Sequence, residues 1–381
     1  MRLHPALHYL LRAIYAAAAC LLTDAVFGGA FVDAVARYGV VSTVLLMLLP
    51  CLCAIVLTWV LVRLGNVLAA ALCGWRVEEV SILGFSLHRR EDGRLCLMYR
   101  RPVERVTAIA TPPVLDGSCP VLPWQVGGML LCGVIALAAT GLALLWRPAP
   151  WAPMLFLGGV YTLGMLLFAL PGAGQRRGLL DQLRLYAREQ ELRRALTHKL
   201  CVSAANRRGV SVSELPEELF IPYPAELWTE PNVFAAMSNR ATRLLNAGQY
   251  EEARETLSGL MTTLGEPALR IPRKEITSHF LACSLSIAEA MTGTASACSA
   301  RLDTPEMQRS LSHPGWQERL LLARYVRALL VQRDPSAAEA LLRELTPRLS
   351  ALEPARAAGT RAILRDAQAR AAKPNTQEEN P

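Results

Sequence analysis

Lysine is scarce, aromatic residues supply only 6% of the chain and charged residues 19%. The formal charge of +8 therefore rests almost wholly on arginine. No cysteines are spaced as CxxC: Cys20, Cys51, Cys53, Cys73, Cys96, Cys119, Cys132, Cys201, Cys283 and Cys298 are scattered. That argues against a disulfide framework and a structural zinc module, and cysteine inside an apolar run acts as a small hydrophobe. No phosphate-binding loop is present, because GAGQRRG (172–178) lacks the Gly-Lys-Ser/Thr ending. No G-x-S-x-G elbow occurs either. Basic residues are not interleaved with aromatics, so no nucleic-acid partner is expected.

What the chain does have is unevenly spread. Residues 1 to about 171 hold long apolar runs, whereas 172–381 read as a charged, soluble, helical region. Length and this shift predict two or three structural units. The runs lie near 8–32, 40–73, 126–146 and 151–170. The first contains Arg12 and Asp24 and lacks the layout of a cleavable signal, so a retained first span is expected. Trp124, Trp146 and Trp151 stand at run ends, where amphipathic rings favour a membrane interface. Arginine pairs (Arg89-Arg90, Arg100-Arg101, Arg176-Arg177, Arg193-Arg194) flank the runs. Their bias predicts the N-terminus, 75–123 and everything after 171 on the cytoplasmic side. Rich alanine and arginine usage suits the inner membrane of a bacterium.

The second run is long for a span. From Gly39 to Cys73 a helix would extend about 52 Å at ~1.5 Å per residue, against a hydrocarbon core of about 30 Å. Tilt, a kink at Pro50 or burial of the far end can absorb the excess. Arg63 and Asn66 lie one turn apart on this helix. Either Arg63 snorkels from a helix end, or the pair faces a polar interior site.

The segment VRLGNVLAAALCGWRVEEVSILGF resembles the zinc helix of the site-2 protease family of intramembrane metallopeptidases. Leu64, Gly65, Ala69, Ala70, Gly74, Trp75, Arg76, Val77 and Ser81 follow the family's pattern after its H-E-x-x-H motif. The motif positions themselves hold Val62, Arg63 and Asn66. Valine has no donor atom, asparagine is a poor zinc ligand and arginine stays protonated, so the zinc chemistry the resemblance implies lacks its residues. The family's later aspartate ligand falls on Asp181, followed here by Gln182 where glycine is usual. Asp181 is also read as a first-turn acid that suits a helix N-terminus. One expectation is that Arg63 fills the emptied site and pairs with Asp181. Asp116-Gly117 reads as a turn.

Around Asp92-Gly93, VEEVSILGFSLHRREDGRLCLMYRR alternates as a hairpin does. In the resembling family such a hairpin can lie against the membrane face. Residues 179–200 predict a basic amphipathic helix, and the proline-studded 215–231 a linker with a docking turn. Beyond it, NVFAAMSNRATRLLNAGQYEEARETLSGLM predicts a helix pair. Its AGQYEEA resembles the turn of a tetratricopeptide repeat, with Gly248 at the C-cap, Tyr250 in the interhelical gap and Ala253 at the close approach. No strict period is visible, so degenerate repeats and an ordinary bundle both stay open.

The expected fold is therefore mainly α. It has a polytopic membrane domain (1–178) of about four helices with a small cytoplasmic hairpin (76–105). An amphipathic helix and linker (179–231), a soluble helical repeat-like domain (232–371) and a disordered tail (372–381) follow. Three functions are weighed. One is an inactive relative of site-2 proteases, without cofactor, that scaffolds protein partners or clients in the bilayer through its helical domain. A second is a zinc peptidase with non-standard ligands. A third is an unrelated membrane anchor for a repeat-type adaptor.

Overall fold

A computed structural model describes residues 5–82, 85–89, 94–99, 106–169, 179–271, 273–294, 302–310, 316–352 and 354–372. The Asp92-Gly93 turn, the GAGQRRG stretch and the tail from 373 onward lie outside these residues. The chain is mainly helical and contains a small antiparallel sheet. It divides into two compact units, 1–193 and 194–381.

The first unit holds four helices long and apolar enough to cross a membrane. These are α1 (Pro5–Val26), α3 (Val40–Leu72), α4 (Leu122–Leu145) and α5 (Ala152–Ala169). The first apolar run is not one helix to residue 32. It breaks at Gly28 and Gly29, both at positive φ, and resumes as α2 (Ala30–Tyr38). Glycine reaches that backbone region without a Cβ penalty. Asp24 helps the reversal, since its Oδ1 accepts the Phe31 N–H at 2.8 Å in the first turn of α2. Pro50 sits inside α3, which continues as one element through residue 72.

Helices α3, α4 and α5 pack on one another, and α1 packs on α5. There the Tyr15 hydroxyl donates to the Val160 carbonyl at 2.7 Å. Gly164 lies directly beneath the Tyr15 ring. The buried residues are mostly small: Ala19, Ala54, Cys132, Ala136, Ala143 and Ala152. Large side chains such as Leu45, Leu52, Leu130 and Leu137 are exposed.

Between α3 and α4 the chain forms four strands rather than a lone hairpin. They are β1 (Arg76–Ile82), β2 (Phe85–Arg89), β3 (Leu95–Tyr99) and β4 (Val106–Thr111), in the antiparallel order β3-β2-β1-β4. Register places Leu87 opposite Leu97 and Phe85 opposite Tyr99. The β1–β4 pairing shifts register between Val77 and Glu79. A bulge of this kind sets two residues against one and breaks the strand's alternation. Glu78 and Glu79 are consequently both buried.

The predicted helix 179–200 is two helices, α6 (Leu179–Arg188) and α7 (Gln190–Arg208). The boundary between the units falls inside α7. In the second unit, 212–227 forms three short 3-10 turns with Leu219, Phe220 and Tyr223 buried. The Trp228 indole donates to the Tyr223 carbonyl at 2.9 Å and covers Gly259. This proline-rich stretch, expected as a linker with a docking turn, is packed structure.

The helices α8 (Pro231–Asn246), α9 (Tyr250–Gly265) and α10 (Lys274–Thr292) follow. After the short α11 (Pro305–Ser310) come α12 (Gln317–Leu330), α13 (Pro335–Ala351) and α14 (Pro354–Ala371). Successive long helices from α8 to α13 pack in order, with α10 on α12, and α14 then returns to α8 and α12. The core is large and aliphatic: Leu245, Leu257, Leu260, Leu281, Ile287 and Leu322.

Candidate functional site

The positions singled out by the sequence lie where α3 crosses α4. Asn66 is buried, and its Oδ1 accepts the backbone N–H of Gly128 at 2.8 Å. The helices approach almost backbone to backbone. A Cβ on Gly65 would stand 2.7 Å from the Gly127 carbonyl oxygen, and one on Gly128 would fall inside the Val62 carbonyl. Gly127 faces the Ala69 methyl just as closely. Small residues permit such an approach, and a polar side chain then bonds across it.

Arg63 does not share this environment. It is exposed on α3, while Val62 is half-buried and Asn66 is inside. Asp181 is half-buried in the first turn of α6, where an acid favours the helix dipole. Among the described residues no ion pair joins Arg63 to Asp181. No group of three His, Cys, Asp or Glu side chains is placed to hold a metal ion among them either.

Below the crossing, α3 ends at Leu72 and the chain turns through Gly74, at φ 77°, into β1. Trp75 is buried there and stacks on Trp124, with ring centroids 5.9 Å apart and planes 9° from parallel. Trp124 is thus a packing residue rather than the interface ring its position suggested. Trp146 and Trp151 are exposed and meet edge to face, with ring centroids 6.3 Å apart.

The bulged strand adds a polar cluster that the alternating pattern concealed. The Thr111 hydroxyl donates to Glu78 Oε1 at 3.1 Å, and the Arg76 guanidinium lies 3.2 Å from the same oxygen. The Ser86 hydroxyl donates to Glu79 Oε1 at 2.9 Å. Ser81 and Ser86 stand opposite one another and are both buried. The other face of β2 and β3 presents Phe85, Leu87, Leu97 and Tyr99, all exposed. This sheet hides polar groups and displays apolar ones.

Asp116-Gly117 forms the expected turn. Asp116 Oδ1 accepts the Ser118 N–H at 2.8 Å and Gly117 has φ 79°. The turn is held by α7, since Arg193 Nε donates to the Gly117 carbonyl at 2.9 Å.

In the second unit Gly248 has φ 76° and ends α8, and Ala253 is fully buried. Tyr250 is buried too, but its hydroxyl reaches beyond the helix pair to donate to Asp366 Oδ2 on α14, at 2.7 Å. The Arg370 guanidinium lies over the Tyr250 ring, 5.1 Å from its centre.

Comparison with protein-family models, curated proteins and solved structures finds no match to this chain.

Proposed function

We propose that this chain is a membrane protein sharing its scaffold with site-2 proteases but without their metal chemistry, and that it presents its helical unit to protein partners or clients at the cytoplasmic face. The α3–α4 crossing carries the reading. Val62 has no donor atom, the Asn66 oxygen is engaged by the Gly128 N–H, and the exposed Arg63 stays protonated and is no general base. Two of the positions that the resemblance assigns to catalysis, Val62 and Asn66, thus sit in helix packing instead. The apolar face of the sheet, bordered by Arg89 and Arg94, suits a surface laid against anionic head groups.

Elemental analysis of the full chain purified in detergent is the direct test. The expected result is no stoichiometric divalent metal, unchanged by Asp181→Ala. Stoichiometric zinc that disappears in Asp181→Ala overturns the proposal in favour of a working peptidase. The combined substitution Val62→His, Arg63→Glu and Asn66→His probes the scaffold: metal uptake supports the kinship. A folded variant that takes up none favours an unrelated anchor for a helical adaptor. The suggested partnership of Arg63 and Asp181 is decided by a double-mutant cycle, with a coupling below about 0.5 kcal/mol marking independence.

A further inference from the structure

The α3–α4–α5 bundle contains a cavity of about 230 Å³ with no assigned occupant. Its floor is made by Ala54, Thr58, Cys132, Ala136, Gly159 and Thr162, all buried. Small side chains on three helices leave the space that leucines would fill. The two hydroxyls on this floor are already satisfied: Thr58 donates to the Ala54 carbonyl at 2.6 Å and Thr162 to the Gly158 carbonyl at 2.9 Å. The cavity thus offers an incoming molecule almost no hydrogen bonding, and a polar ligand would lose its water without compensation. Empty apolar cavities of about 150 Å³ admit benzene, so this one has room for a small hydrocarbon.

The rim decides which hydrocarbon. Cys53, Leu57 and Ile135 line the cavity and are themselves exposed on the outside of α3 and α4. The opening is therefore continuous with the outward apolar surface of the membrane-length helices, next to Leu52 and Leu137. On the reading of those helices as spans, the medium at the rim is lipid hydrocarbon. We infer that the cavity between α3, α4 and α5 is a seat for one acyl chain of a membrane lipid, entering past Leu57 and Ile135 and ending against Cys132. Burying each methylene there contributes about 0.8 kcal/mol relative to water but far less relative to bilayer, so the seat selects by shape and exchanges freely with bulk lipid.

The test uses the full chain in vesicles of phosphatidylethanolamine and phosphatidylglycerol. The vesicles carry a phospholipid with a diazirine midway along one acyl chain. After irradiation, peptide mass spectrometry maps the adducts. The expected result is labelling at Cys132 and Ala136 as well as at the outward Leu52 and Leu137. Gly158→Leu fills the cavity, because the new Cβ meets nothing nearer than the Pro50 carbonyl oxygen at 3.8 Å. It should lower the Cys132 adduct about tenfold, because forcing a chain into the filled space costs about 1–3 kcal/mol, and leave Leu52 labelling unchanged. If Gly158→Leu does not fold, Ala139→Leu at the rim serves instead. Labelling of Leu52 without Cys132, or a Cys132 adduct unchanged in the filled variant, overturns the inference while leaving the membrane reading intact. Absence of labelling at Leu52 and Leu137 overturns both.

Discussion

The two units bury opposite kinds of residue. Among the four long apolar helices of 1–193 the interior is mostly alanine, glycine, threonine and cysteine, with Trp124, Phe156 and Leu157 as exceptions, while most leucines and valines face outward. In 194–372 leucines fill the interior, and among the described residues Val331 is the sole large aliphatic side chain counted as exposed. A helix surrounded by water gains from hiding its leucines. One surrounded by hydrocarbon gains nothing from that, and close backbone packing takes over. On the proposed membrane reading the contrast follows from two rules of cohesion in one chain, and each rule makes different positions sensitive.

The sharpest way to break the comparison is at the crossing glycine. Gly128→Leu is expected to cost more than about 3 kcal/mol, because the clash is with the backbone of α3 and cannot be relieved by a rotamer change. Gly141→Ala on the same helix, with open space around it, should stay within about 0.5 kcal/mol. Unfolding in mixed detergent measures both.

Leucine truncation comes next. Leu257→Ala in the second unit should cost about 2–5 kcal/mol, whereas Leu137→Ala in the first should cost less than about 0.5 kcal/mol. Equal losses by thermal denaturation would mean that both units follow one rule. A smaller effect is expected of Tyr250→Phe, about 0.5–1.5 kcal/mol from the lost bond to Asp366. A double-mutant cycle with Asp366→Ala should recover that coupling.

A further effect is confined to the alkaline limb. Burial pushes the Cys283 thiol up to about 12, with Arg319 and Arg324 pulling it down, and burial raises Tyr250 as well, helped by Asp366. The folded chain therefore keeps protons that the unfolded chain releases, so stability falls as pH rises from about 9 towards 12. Cys283→Ala should flatten that fall in denaturation midpoints measured across the range. An unchanged slope would remove Cys283 as its source.

Much of this architecture is legible in the residues. Apolar runs mark the four long helices because no shorter pattern competes with them, and AGQYEEA marks the α8–α9 turn through its glycine. Other features depend on partners remote in the chain. Nothing local announces that Asn66 meets Gly128, although adjacent glycines in an apolar run hint at a close approach. The bulge at Glu78 destroys the period on which strand reading rests, so two buried carboxylates look like a half-exposed strand. Prolines in 215–231 read as linker, yet Pro216 and Pro224 each start a 3-10 turn, and the turn after Pro216 packs on α8. The hydrophobicity on both sides of Gly28-Gly29 masks the break in the first run.

One consequence follows from the return of α14 to α8. The carboxylate that accepts from Tyr250 is encoded 116 residues later, so the helical unit has no finished form until residue 366 has been made. The apolar unit has all its elements long before that moment. A ribosome paused between residues 250 and 366 would therefore hold a settled half joined to an unclosed one, and shortening the chain before Asp366 should fix it in that condition.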